Sequence, residues 1–517
     1  MSRILQSLLN KKIAGLLLFA LLVTVNAAEQ PRKKILDLAW GSPTVEFLAA
    51  NLEQMEKEAP VDGLMIRWIG EMDAGNGKKK SINLTHCMNS KVRMKREYFE
   101  KQIKLYKSLK FKKFTDNFLH TVVMPADQDW FNDQDWANIC ANYALAASIA
   151  KECGMQGIIF DPEEYAGKFW QYGTFDRPLK EGIAIARKRG QEWGRAIFGA
   201  YPNMKLFVLF WIAGNQDNMA IHFINGVYDV MPATVRVYEG HETFGYLAHS
   251  FRNYDEIHAD NDRNFLKYLD PVHHQKHRNQ TVAAPAFYLD SILNVNKKWH
   301  KMFRVKIENP LYFLKRNLLY ALDTSSEYAW FYSEKGCFWN GTKYAYWEKQ
   351  FPGIVDVIRR AKNPLEEKIT NDTNMLSPEN LKVQWKYQQT PKAKGVATMK
   401  DGIFTITGCR ENGNHTILLP VKPNRTYLVR VEVQLGKGKN IGYPYLYAYL
   451  NHANKGWTDI PRSQKRYLSP ESGDGWKTLE LIIHSSDKTA YLAIELGALK
   501  QGVGETVTFR NPQCKEL

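Results

Sequence analysis

Acid is in short supply in this sequence, where 54 Asp and Glu face 70 Lys and Arg, a formal charge of +16 over 517 residues. That balance favours acidic partners. No motif interleaving aromatic and basic residues accompanies it, so nucleic acid is not expected; anionic polysaccharides or cell-surface polymers are, with plain solubility as the alternative reading. Cysteine is scarce as well. The six, Cys87, Cys140, Cys153, Cys337, Cys409 and Cys514, include no C-x-x-C pair, which argues against a zinc ribbon or a thioredoxin-type site. Export would permit disulfides, and Cys409 with Cys514 could bridge. A G-x-S-x-G nucleophile turn and a phosphate-cradling G-x-x-x-x-G-K-[ST] are both missing. His273-His274-x-x-His277 has the spacing of a helical metal pair but lacks the glutamate of H-E-x-x-H, and reads as a surface histidine cluster. No metal or cofactor is expected.

Apolar runs long enough to cross a bilayer are lacking too. Arg3 and Lys11-Lys12 precede an uncharged run, Ile13 to Val25, which ends at Asn26-Ala27-Ala28. This predicts a signal peptide over 1–28, an exported mature chain (secreted, periplasmic or on the cell surface) and no integral membrane segment after cleavage. About 490 residues would remain, suited to one barrel and a smaller module.

What the chain does have is a repeating order of apolar runs and helical segments. The runs are Ile35–Trp40, Gly63–Trp68, Leu119–Met124, Gly157–Phe160, Leu206–Trp211, Thr234–Tyr238, Val282–Tyr288 and Tyr328–Tyr332. Helical candidates between them include Thr44–Glu58, Lys91–Leu109, Asp135–Cys153, Leu179–Phe198 and Pro310–Leu322. Continuous apolar strands alternating with helices predict an α/β fold, a (β/α)8 barrel over 29–364. Pro232 and Pro285 lie beside or inside the sixth and seventh runs.

Chemistry in such a barrel sits at the carboxyl ends of the strands. The fourth run leads into Asp161-Pro-Glu163-Glu164-Tyr165, three carboxylates together. Alternation turns Asp161 and Glu163 one way and Glu164 the other. Two acids side by side raise one pKa, as a general acid requires, whereas a solvated acidic turn is the bland alternative. Glu163 is the expected general acid, tuned by Asp161. Glu239 is the expected second carboxylate across the same cleft, with Glu242 and Glu334 as substitutes. The other strand ends add Trp40, Trp68, Asp127, Trp130, Tyr165, Trp211, Asp290, Trp330, Glu334 and Trp339 as candidate substrate contacts. Acids beside flat rings suit a sugar, whose C–H faces pack on aromatics while its hydroxyls bond carboxylates. Lys78-Lys79-Lys80 reads as a solvated loop, or as a patch that greets an acidic substrate.

Helical periodicity stops after Asn363-Pro364. Residues 365–378 read as a polar linker and 379–517 as a β-sandwich of short alternating strands. Leu419-Pro-Val-Lys-Pro-Asn-Arg-Thr-Tyr-Leu428, Gly475-Trp-Lys-Thr-Leu-Glu-Leu481 and Thr506-Val-Thr-Phe-Arg-Asn-Pro512 resemble jelly-roll carbohydrate-binding modules of families 4 and 9, with Arg510 where such modules carry an aspartate. The resemblance implies a module that folds alone and binds glycan through rings such as Tyr443, Tyr445 and Trp457. The barrel resembles secreted, largely uncharacterised glycosidase-like proteins through Phe114-Thr-Asp-Asn117, Phe160-Asp-Pro-Glu163 and Ala329-Trp-Phe-Tyr-Ser-Glu334. Asp161-Pro162-Glu163 is similar to the D-x-E of chitinase-like barrels, but Gly157-Ile158-Ile159 stands where that family's upstream aspartates would be. The resulting expectation is a glycoside hydrolase acting on a poly- or oligosaccharide. The rival readings are a non-catalytic carbohydrate-binding or adhesion protein, and a polysaccharide lyase using Tyr165 and His241.

Overall fold

Each of the eight apolar runs forms strand in the computed structural model. It describes residues 33–73, 78–125, 128–165, 168–172, 177–211, 218–376, 395–436, 438, 442–451, 464–469 and 472–517, together with the backbone of Val383–Gln384. One parallel sheet holds β1 (Lys34–Asp37), β2 (Gly63–Ile66), β3 (Phe118–Val122), β4 (Gly157–Asp161), β5 (Lys205–Val208), β6 (Arg236–Glu239), β7 (Thr281–Ala283), β8 (Ala286–Tyr288) and β9 (Tyr328–Tyr332). Its order is β8-β9-β1-β2-β3-β4-β5-β6-β7, a nine-stranded curled sheet. The seventh expected run is therefore two strands. Pro285 has no N–H to give, and the ladder breaks at Ala284-Pro285: Ala284 N–H donates back to Glu239 O at 2.7 Å, and Pro285 O accepts from Trp330 N–H at 3.0 Å.

Alternation along these strands makes two apolar layers. Leu36, Phe118, Ile159, Phe207, Tyr238 and Trp330 pack together inside the curl. Ile35, Leu64, Leu119, Ile158, Val208 and Val237 face the helices. The sheet needs Gly157, because a Cβ there would lie 1.8 Å from Lys205 O on the neighbouring strand. At the amino-terminal end of the curl, charge replaces apolar packing. Lys34 reaches Asp116 at 2.8 Å, Lys205 reaches Glu327 at 2.8 Å, and Tyr328 O–H donates to Asp116.

The helices follow the expected pattern with one difference. Val45–Glu58 starts on a Thr44 cap, and Asp133–Glu152, Leu179–Ala200 and Pro310–Thr324 lie where helices were expected. Of Lys91–Leu109, only Glu100–Ser108 is α-helix, preceded by a 3-10 turn at Arg96–Phe99. Upstream of that turn the backbone is tied to Asn142 instead, which accepts from Met94 N–H at 2.7 Å and donates to Val92 O at 3.1 Å.

Val383–Gln384 and nine strands within 396–516 build two five-stranded antiparallel sheets, face to face over a core that includes Phe404, Val429, Leu446, Ile494 and Phe509. Lys34–Leu517 forms one compact unit. Leu428, Ile482 and Leu517 of the sandwich pack into the helix-side core of the parallel sheet. The stretch expected as a linker is docked. Its Glu367 is buried between Lys315 (3.1 Å) and Lys515 (2.9 Å), while Arg430 donates to Glu367 O at 2.7 Å. His484 reaches Asp323 at 3.0 Å across the same junction. The suggested Cys409–Cys514 bridge is absent: neither cysteine is in a disulfide, and both are buried in the sandwich core.

Candidate active site

The carboxyl end of β4 sets the site. Asp161 shares its side of the strand with Ile159 and so faces the inside of the curl. Its Oδ1 accepts the Glu163 N–H at 3.0 Å, closing a tight turn, and its Oδ2 accepts the Tyr165 O–H at 3.3 Å. His120, on β3, places Nε2 3.9 Å from the same oxygen and has no hydrogen-bond partner for it. Glu163 lies at the solvent edge, where desolvation raises its pKa, Tyr165 opposes the rise, and the charges of Asp161 and Glu334 add to it.

Glu242 approaches from across the mouth. Gly240 follows β6, and His241 then adopts a left-handed backbone with φ of 45°, which turns the chain into a short helix, Glu242–Tyr246. Tyr246 O–H donates to Glu242 Oε1 at 2.7 Å. Burial still pushes the Glu242 carboxyl up to about 8, with the charges of Asp161 and Glu163 adding to the shift. Glu334 completes the group. Asp290, fully buried after β8, fixes it by accepting the Glu334 and Lys335 N–H groups at 2.8 and 2.9 Å, and burial moves the Asp290 carboxyl up to about 6. Tyr332 O–H reaches Glu334 at 3.4 Å. Tyr246, Tyr288 and Tyr332 form a triangle of rings with centroids 4.9 to 5.3 Å apart, one wall of the mouth.

Glu239 is placed differently. It shares its side of β6 with Val237 and so faces the helix layer. Its carboxyl accepts the Trp211 N–H at 2.9 Å and the His241 N–H at 3.2 Å, tying together the turns after β5 and β6. Burial moves it up to about 8. His241 is itself buried, which lowers its pKa to about 3. It is neutral at physiological pH.

The tryptophans divide by burial. Trp40 is 53% exposed and Tyr165 49%. Trp68, Trp130 and Trp339 are buried in the helix-side core, and Trp330 fills the inside of the curl with its Nε1–H on Gly240 O at 2.9 Å. Bulk wins over platform at these four. Trp211, also buried, lines a cavity of about 430 Å3 with Glu239, His241, Glu242 and Phe244. Asp127 lies outside the described residues, as does Trp457. In the sandwich Tyr443 is 38% exposed, whereas Tyr445 is buried with Lys465 Nζ 3.8 Å from its ring centre.

His273 and His277 are buried rather than superficial. His273 pairs with Asp229 at 2.9 Å, and His277 bridges the Tyr228 hydroxyl (3.0 Å) and Asn261 O (2.8 Å). Among the described residues no group of His, Cys, Asp and Glu is arranged to hold a metal. Lys79 is held by Glu71 at 2.9 Å on the hairpin Ile69–Asp73/Lys79–Asn83. Sequence reasoning missed His120, Tyr288 and Tyr332, which strict alternation from Phe118, Ala286 and Trp330 would have aimed inward. For Tyr246 and Phe244 the sequence carried no signal.

No family model and no curated protein matches this chain. Among solved structures it is similar to Eubacterium rectale Amy13B, with 10% identity, 90% of this chain and 96% of that one covered, and a TM-score of 0.36. A CBM4 structure is similar over 29% of this chain and 100% of its own, with 15% identity and a TM-score of 0.20. A family 16 carbohydrate-binding module is similar over 24% of this chain and 86% of its own, with 12% identity and a TM-score of 0.18. Among the described residues no helix is long and apolar enough to cross a membrane.

Proposed function

We propose that the protein is an exported glycoside hydrolase acting on a poly- or oligosaccharide, with Glu242 as general acid and Glu163 as nucleophile or water activator. One observation carries this reading: Asp161, Glu163, Glu242 and Glu334 converge on one mouth, where burial lifts Glu242 to about 8 while Glu163 stands at the solvent edge. Such separation allots acid and base roles to otherwise similar carboxyls. Glu242, about 8, holds its proton at neutral pH. Glu163, at the solvent edge, is the better candidate to act ionised. This reverses the role expected for Glu163 and moves the partner role from Glu239, which faces the helices, to Glu242. Asp161 positions Glu163 through its N–H, and the tyrosine wall and Trp40 offer rings and hydroxyls to the sugar. We also read Thr281–Tyr288 as one kinked strand whose halves bond β6 and β9, which closes a (β/α)8 barrel, and the sandwich as a docked glycan-binding module.

The test is a screen against neutral and acidic polysaccharides that scores reducing ends and unsaturated products separately. Reducing ends without new double bonds are expected; unsaturated products would replace hydrolysis with a lyase reaction. Glu163→Gln and Glu242→Gln then separate the roles. General acid catalysis contributes typically about 10²–10⁴-fold, so the Glu242→Gln loss should shrink on a substrate whose leaving group needs no proton. The bond-breaking loss in Glu163→Gln should not. Full activity in both variants would remove the pair from the mechanism.

A further inference from the structure

The mouth does not end at Glu242. The cavity lined by Trp211, Glu239 and Glu242 shares Thr243, Phe244, Asp260 and Asn264 with a second cavity of about 430 Å3, which reaches Met302 and Arg304. Phe244 stands between them and is 66% exposed, a large apolar ring on a short helix whose last residue, Tyr246, belongs to the tyrosine wall of the mouth. At the far end lies Lys297-Lys-Trp-His-Lys-Met-Phe-Arg-Val-Lys306, five Lys and Arg in ten residues with no acid. Its position is fixed by apolar anchors. Trp299 packs 5.8 Å from both Tyr246 and Tyr288 of the mouth, and Phe303 packs 5.6 Å from Phe313. Lys297, Lys298, Lys301 and Arg304 are exposed and have no ion pair among the described residues. Of the acids between Phe244 and Arg304, Glu256 is paired with Arg252 at 2.9 Å, whereas Asp260 accepts from the Asn264 amide at 3.0 Å and keeps its charge, so the basic segment and not the groove floor has to hold the anions.

We infer that this groove binds the non-reacting part of an anionic polysaccharide, with Phe244 as the platform for a sugar face and the 297–306 segment as the partner of its carboxylate or sulfate groups. The inference rests on the glycosidase reading for what happens at the mouth, and it adds the substrate class. Rings stack on apolar sugar faces, while a cluster of unpaired guanidinium and ammonium groups answers repeated anions along a polymer. Steering of this kind weakens with salt.

Binding tests it without turnover. Full-length protein carrying Glu163→Gln is titrated with polygalacturonate, dextran sulfate and unmodified dextran at low and high salt. Expected are binding to at least one anionic polymer that weakens with salt, and little binding to dextran; the two anionic probes distinguish carboxylate from sulfate. Adding Lys298→Glu, Lys301→Glu and Arg304→Glu together should weaken that binding by about tenfold or more and flatten its salt dependence. Phe244→Ala should weaken it several-fold while leaving the salt dependence in place. No binding to either anionic polymer, equal binding to dextran, unchanged binding by the charge-reversed variant, or displacement of polygalacturonate by an equal mass of homopolymeric RNA would each overturn the inference. If binding behaves as expected and no polysaccharide is cut by the parent protein, the groove stands and the hydrolase reading falls.

Discussion

Asp37 offers a direct test of how burial sets proton affinity in this molecule. It ends β1 on the side shared with Ile35, facing the helices rather than the mouth, and is 1% exposed. Neither carboxyl oxygen has a hydrogen-bond partner among the described residues, and burial pushes the group up to about 7 from 3.8. The folded state therefore holds a proton that the unfolded chain releases. Between pH 4 and 7 the folded form binds more protons, so stability falls as pH rises and levels off above about 7. A shift of roughly 3 units at about 1.4 kcal/mol each gives at most about 4 kcal/mol lost across that window. Asp37→Asn keeps the shape and cannot ionise. Relative to the parent it should gain up to about 4 kcal/mol between pH 4 and pH 8, about 4 °C in Tm for a chain this long. Urea midpoints and melting curves at half-unit pH steps give the difference directly, and other titrating groups cancel in it. A difference that stays constant with pH would mean that Asp37 remains ionised in the fold, and that burial is not what moves it.

Other consequences reach the mouth, the junction and the sheet. Tyr246→Phe removes a donor that favours ionised Glu242, so its pKa should rise by up to about 1 unit and the alkaline limb of kcat/KM should move to higher pH; a limb that stays or moves down would separate Glu242 from catalysis. Glu367→Gln leaves Lys315 and Lys515 without their shared anion in a buried junction and should cost about 3–5 kcal/mol in urea unfolding, whereas a loss under about 1 kcal/mol would mean the remaining junction contacts, Leu428, Ile482, Leu517 and the His484–Asp323 pair among them, hold the sandwich without it. Gly157→Ala drives a Cβ into Lys205 O and should leave little folded protein in a hydrogen-exchange or melting assay; a stable variant would require β4 and β5 to part without loss.

Eight strands were legible because parallel strands buried on both faces must be apolar throughout, and a helix has to separate each from the next. The same reasoning reached Asp161 and Glu163, since alternation from Ile159 carries both past the strand end toward the inside of the curl. It did not separate Glu239 from Glu242. Glu239 ends β6 and Glu242 follows it by three residues, and the choice between them is made by the left-handed turn at His241, a conformation that only the fold selects at this position. Glu239 stays on the outer face of the strand and closes two turns; Glu242, one turn further on, reaches the mouth. The tryptophans misled for a related reason. A large ring at a strand end serves packing and sugar binding equally well in the sequence, and only the space between sheet and helices decides, filling first with Trp68, Trp130 and Trp339. Trp40 and Tyr165 stayed outside, and so did Phe244, on a five-residue helix no periodicity could reveal, because that helix exists only where His241 turns the chain. One backbone conformation thus places the Glu242 carboxyl at the mouth and the exposed ring beside it, so a substitution at His241 that restores extended backbone should disturb the proposed catalysis and polymer binding together, while Phe244→Ala should weaken polymer binding without moving the pH limb assigned to Glu242.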